Sequence, residues 1–179
     1  MGSSYTKLSL VEKVDERRNP NTSKRTDEVF LLFSEAMMMN SIQIVNVMKG
    51  KARAHLQIID VTGGRSLHEQ VFVLSESKSE DSIGDWHELS EEIRIKHKST
   101  ICIRVEIEGD PTYTYSETVG VLSISGGPVV NVFRDPTEIT IMNPLTKERT
   151  MTFELCQKHD TNLVMGMSIK QVRGRTCYL

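Results

Sequence analysis

Between residues 101 and 108 every second position is apolar. Ile101, Ile103, Val105 and Ile107 fall on one side, and Cys102, Arg104, Glu106 and Glu108 fall on the other. A period of two marks a strand with one buried and one wet face, here ended by Gly109-Asp110-Pro111. Similar texture predicts strands over 42–47, over 54–61 before Thr62-Gly63-Gly64, and over 69–74. Further strands are expected near 117–124, 129–133, 137–142, 149–156 and 162–172, with Asn143-Pro144-Leu145-Thr146-Lys147 as a hairpin turn. Ser125-Gly126-Gly127-Pro128 interrupts this run.

Two stretches read differently. Val29, Phe30, Leu32, Phe33, Ala36 and Met37 recur at helical spacing behind Thr26 or Asp27, which predicts a capped helix. Asp85 and Glu88 form a capping-box spacing, predicting a short helix that starts at Trp86 with Leu89 and Ile93 on one face. The expected architecture is therefore mainly β (α+β), an antiparallel β-sandwich or barrel-like body with two accessory helices. Residues 1–26 are polar, with Asn19-Pro20-Asn21 as loop chemistry. They are expected to form a mobile basic N-terminal tail, leaving 27–179 as a single β-rich domain.

Length and composition agree with that division. A chain of 179 residues, 38% hydrophobic and 26% charged, can bury a core without disulfide staples. No apolar run is long enough to cross a bilayer as a helix. The beginning lacks the pattern of a secretory signal, so the sequon Asn21-Thr22-Ser23 is expected to stay unglycosylated. Cys102, Cys156 and Cys177 are widely spaced and odd in number, which suits a reducing, intracellular compartment.

Charge is unevenly placed. Residues 1–26 hold six basic side chains (Lys7, Lys13, Arg17, Arg18, Lys24, Arg25) and three acidic ones, while the whole chain carries −2. The chain opens Met-Gly-Ser-Ser-Tyr-Thr, which matches the myristoylation pattern with Gly2 as acceptor and Thr6 as the hydroxyl residue. One acyl chain holds a protein to membrane only marginally, and a basic segment is a common second signal. Gly2 and the six basic residues are thus the candidate contacts with an anionic membrane surface.

No catalytic constellation emerges. His55, His68, His87, His97 and His159 show no metal-ligand spacing. Gly63-Gly64 lacks the residues of a phosphate loop and reads as a turn. The acids between 76 and 92 lie in a loop-like stretch without an apolar wall to shift a pKa. Cys102 lies on the wetter face of its strand, with no basic helix terminus to activate it. No enzyme, cofactor, metal or small-molecule substrate is expected. An acidic body disfavours non-specific nucleic-acid binding, and Lys170, Arg173 and Arg175 are the candidate exception, with Arg134, Lys147 and Arg149 as neighbours they could meet.

A small chain with a basic N-terminus that carries an acylation pattern, and with a β-rich body, resembles viral matrix proteins, in particular the small ones of plant-infecting rhabdoviruses. The resemblance covers overall layout. It implies self-association into homo-oligomers, contact with a nucleocapsid or RNA–protein complex, and attachment at the membrane periphery during virion assembly. The proline-rich budding motifs of animal rhabdovirus matrix proteins do not occur. A second resemblance is to thirty-kilodalton-type movement proteins, which bind single-stranded nucleic acid. Ile58-Ile59-Asp60 is similar to their strand-ending triplet, with Gly120 or Gly126 at a suitable distance. A turn-capping residue is the competing reading of Asp60. A lipid-anchored adaptor is the third alternative.

Overall fold

The Ile101–Ile107 alternation forms the centre of the molecule. In a computed structural model, described for residues 4–11, 17–19, 24–76, 84–114, 121–123, 129–136, 140–141, 149–150, 153–155 and 162–172, all four of these side chains are at most 1% exposed. The strands in chain order are β1 (Thr6–Ser9), β2 (Arg17–Asn19), β3 (Arg25–Phe33), β4 (Met37–Val45) and β5 (Ala52–Asp60). Then come β6 (Arg65–Leu74), β7 (Gly84–Ile95), β8 (Thr100–Gly109), β9 (Thr112–Thr114) and β10 (Val121–Ser123). The last five are β11 (Val129–Pro136), β12 (Thr140–Ile141), β13 (Arg149–Thr150), β14 (Phe153–Leu155) and β15 (Val164–Gln171).

Two antiparallel sheets carry the core. The larger has the order β10-β11-β3-β8-β5-β6, with β14 also on β11. The smaller has the order β1-β15-β4-β7. One continuous apolar cluster draws on both: Val29, Leu31 and Phe33 from β3, Leu56 and Ile58 from β5, Ile42 and Ile44 from β4, and Met167 and Ile169 from β15. Burial of side chains from two facing sheets in one cluster makes the body a sandwich. Short pairs β2–β9 and β12–β13 complete the described strands.

Neither predicted helix forms; no helix occurs among the described residues, which are mainly strand. Residues 25–33 are β3, with Asp27, Val29, Leu31 and Phe33 buried towards the core. The alternation is disguised because the opposite face is also covered. Phe30 is only 5% exposed and packs with Cys102, Ile59 and Val61 in a second small cluster. A strand buried on both faces loses its polar beat and mimics helical spacing. Asp27 is not a helix cap. Its Oδ2 accepts hydrogen bonds from the amides of Leu163 (2.7 Å) and Val164 (3.1 Å). Residues 84–95 form the twelve-residue strand β7, where Trp86 pairs with Gln43 and Glu88 with Ser41.

The body also begins earlier than residue 27. Strand β1 pairs with β15, from Thr6 opposite Ile169 to Ser9 opposite Gly166. Leu10 and Val11 then enter the core, and the Leu10 amide donates to the Met165 carbonyl at 2.8 Å. A local reading misses this because a four-residue stretch with three exposed, polar side chains forms a strand only when a partner edge exists to satisfy its backbone.

At the end of β8 the expected turn is present. Gly109 has φ of +130°, and a Cβ there would lie 2.7 Å from the Ala52 Cα, so only glycine fits. Arg25 closes this corner by donating to the carbonyls of Gly109 (3.3 Å) and Asp110 (3.0 Å). At the β6 edge of the larger sheet, Gln70 joins the sheets. Its Oε1 accepts from the Ser90 amide at 2.9 Å, linking β6 to β7.

Candidate binding face on the four-stranded sheet

The outer face of the smaller sheet collects side chains that lie far apart in sequence. Register places Lys7, Ser168, Ser41 and Glu88 in one row across β1, β15, β4 and β7. The adjacent row is Ser9, Gly166, Gln43 and Trp86. In the first row the two central strands carry serines and the two outer strands carry Lys7 and Glu88, so the face is a trough there. Ser41 and Ser168 form its floor and are 6% and 3% exposed.

Long side chains reach over the floor from both margins. The Lys7 ammonium stands 4.9 Å from the centre of the Trp86 ring, a cation–π arrangement spanning β1 and β7. The Tyr5 hydroxyl donates to Glu92 Oε2, again joining the two margins. Lys170 sits 4.7 Å from the Tyr5 ring centre and 3.8 Å from Glu92. A bulge helps this reach, because residues 89–92 of β7 lie opposite Asn40 alone. Burial, together with the Glu92 hydrogen bond and charge, raises the Tyr5 pKa and keeps the hydroxyl a donor.

Between these bridges lies a groove of about 700 Å³ lined by Tyr5, Thr6, Lys7, Asn40, Ser41, Trp86, Glu88 and Ser168. Asn40 Oδ1 is buried and has no hydrogen-bond partner among the described residues. The groove thus combines aromatic faces, hydroxyls, an amide oxygen and one charge of each sign, which is an arrangement for recognition by hydrogen bonding.

The larger sheet bears a second, smaller cleft of about 330 Å³ on its outer face, lined by Lys24, Arg53, His55, Val71, Glu106 and Glu108. Its charges largely neutralise one another. Lys24 lies 3.3 Å from Glu106, and His55 lies 2.6 Å from Glu69. Beside it, Val71 and Val73 are 47% and 64% exposed and stand out as exposed large apolar side chains.

The six basic residues of the N-terminal region do not share one face. Lys7 is on the trough, Lys24 is on the opposite sheet, and Arg25 is 5% exposed in the core. Burial lowers the Arg25 pKa. Arg17 and Arg18 belong to β2, whose backbone pairs with Thr114 and Tyr113. Gly2 and Lys13 lie outside the described residues. Of the C-terminal set, Lys170 joins Lys7 at the trough, while Arg173 and Arg175, with Cys156, Cys177 and His159, lie outside the described residues.

The remaining candidates take ordinary places. Asp60 ends β5, and its Oδ1 accepts from the Gly63 amide at 3.0 Å, capping the Thr62-Gly63-Gly64 turn. Gly120 and Gly126 lie outside the described residues. Cys102 is 3% exposed, with Sγ 3.8 Å from Glu28 Oε2. Burial, then the Glu28 charge, pushes its thiol pKa far up. His68 contacts Gln70 Oε1 at 2.7 Å in the seam between sheets. Among the described residues no group of three or more His, Cys, Asp or Glu side chains converges as a metal site.

Sequence reading missed Tyr5, Trp86, Asn40, Ser41, Glu88 and Ser168 as one site. The available signal was Tyr5-Thr6-Lys7 and Trp86-His87-Glu88, each placing two long side chains on one face at a period of two. Neither a family model nor a curated protein sequence matches the chain.

Proposed function

We propose that this chain is a structural protein of the viral matrix type, acting by self-association and by bridging nucleoprotein and membrane. The observation that supports the reading is the apolar pair Val71 and Val73 on the outward face of edge strand β6. Exposed apolar side chains on an edge strand favour contact with another chain. Their neighbours Arg53, His55, Glu106 and Glu108 carry both signs of charge, so a second copy turned by a two-fold axis meets complementary groups. The basic surplus of residues 1–26 supports the membrane contact, with Gly2 as the point of acylation.

Sedimentation velocity on the full chain tests the assembly step. The native protein should shift to larger species as concentration rises, and the pair Val71→Lys with Val73→Lys should remain monomeric. A native protein that stays monomeric at high concentration rejects the proposal. Flotation with phosphatidylserine vesicles tests the membrane step, with Gly2→Ala as the control for acylation and salt as the control for charge.

A further inference from the structure

We infer that the trough on the four-stranded sheet is a binding site for a neutral saccharide. The inference is independent of the matrix reading.

Three features carry it. First, size: about 700 Å³ falls in the range of small-ligand sites, which run from about 300 to 1,000 Å³. Second, charge: Lys7 and Glu88 offset each other at the groove, and Lys170 with Glu92 form a neighbouring pair. A phosphate, a nucleic-acid backbone or an acidic lipid headgroup gains nothing from a lining of zero net charge. A neutral polyol gains from both signs, because each hydroxyl donates and accepts.

Third, the lining chemistry alternates as a sugar ring does. The axial C–H groups of a pyranose form a weakly positive face that lies against an aromatic ring, and its rim is all hydroxyls. Trp86 and Tyr5 supply the rings at the two margins, and the Lys7 and Lys170 ammonium groups that stand over them swing aside to admit a sugar. Ser41, Ser168 and Asn40 supply acceptors and donors on the floor. A peptide fits less well, since the groove lining offers no aliphatic pocket for side chains.

The site contains the only tryptophan of the chain, so intrinsic fluorescence reports on it directly. The full-length protein is titrated with cellohexaose, laminarihexaose and mannohexaose, and separately with phosphatidylserine vesicles and single-stranded RNA. The expected result is a saturable Trp86 emission change with at least one hexasaccharide. Lys7→Ala, an exposed substitution on the margin, should weaken that response about tenfold through loss of a charged hydrogen-bond donor. Lys24→Ala, on the other sheet, should leave it unchanged. Circular dichroism of both variants checks that the fold is retained. Absence of response to all three saccharides, a response only to vesicles or RNA, or equal weakening by both variants would overturn the inference.

Discussion

Asp27 and Leu163 are separated by 136 residues, yet the Asp27 carboxylate accepts the Leu163 amide at 2.7 Å, in the buried interior. The same oxygen accepts the Val164 amide, so one side chain of β3 satisfies the backbone that leads into β15 of the other sheet. Asp27→Ala would leave both amides buried without this acceptor. Each unsatisfied buried donor costs about 1–3 kcal/mol. Urea unfolding should show a loss of roughly 2–5 kcal/mol for Asp27→Ala, and a smaller loss for Asp27→Asn, which keeps one acceptor oxygen. A loss below that of an ordinary surface substitution would show that β3 does not hold the entry to β15.

Gly166 is required by the trough. A Cβ there would meet Gln43 Oε1 at 2.9 Å, the Leu8 carbonyl oxygen at 2.9 Å and the Trp86 ring at 3.0 Å. Gln43 can swing aside, but the Leu8 carbonyl belongs to the backbone of the β1–β15 pair. Gly166→Ala should therefore cost about 1–3 kcal/mol by overpacking, more than it recovers from reduced unfolded-state entropy. The emission maximum of Trp86 should move with it. Unchanged fluorescence would mean that the indole does not rest on Gly166.

His87 makes stability depend on pH. Burial lowers its pKa from the usual 6.5, against partial opposition from the Asp85 charge. The unfolded chain then binds a proton at higher pH than the folded one. This contribution is complete above about pH 6.5 and is lost as pH falls below it, at up to about 1.4 kcal/mol per pH unit. His87→Phe keeps ring packing against Phe72, whose centroid lies 4.8 Å away. Urea midpoints measured between about pH 5 and pH 7 should fall less steeply in the variant than in the native protein. Parallel slopes would reject His87 as the titrating group.

Cys102 should resist alkylation. Its thiol is buried against Phe30, and the neighbouring Glu28 further opposes ionisation. Thiolate is the reactive form, so burial and a raised pKa both slow the reaction. Mass spectrometry after iodoacetamide treatment at mildly alkaline pH should find the Cys102 peptide unmodified in the native protein and modified in urea. Labelling at equal rates in both states would contradict the buried placement.

Much of the fold was legible locally. The β8 alternation, the turn at Gly109 and the Thr62-Gly63-Gly64 turn each follow from side chains near in sequence, and each is present. The errors share one cause. Phe30 and Leu32 look helical because the outer side of β3 is itself covered, and Asp85 with Glu88 looks like a cap because β7's partners cannot be inferred from its own residues. Both are decided by what packs against the strand, and periodicity records only how many faces are apolar.

The candidate site illustrates the limit further. Tyr5, Lys7, Trp86 and Lys170 were visible as single residues, and Lys7 and Lys170 were assigned to different partners. Their meeting depends on the order β1-β15-β4-β7, which sets residues 5–9, 166–170, 40–43 and 86–92 side by side. The sequence alone determined that the chain is rich in strands, where several of them turn, and that its basic residues concentrate near the start. Tertiary structure alone decided which edges pair and which side chains share a face. Strand pairing is selected by the free energy of burying whole faces together, and no local segment contains that information.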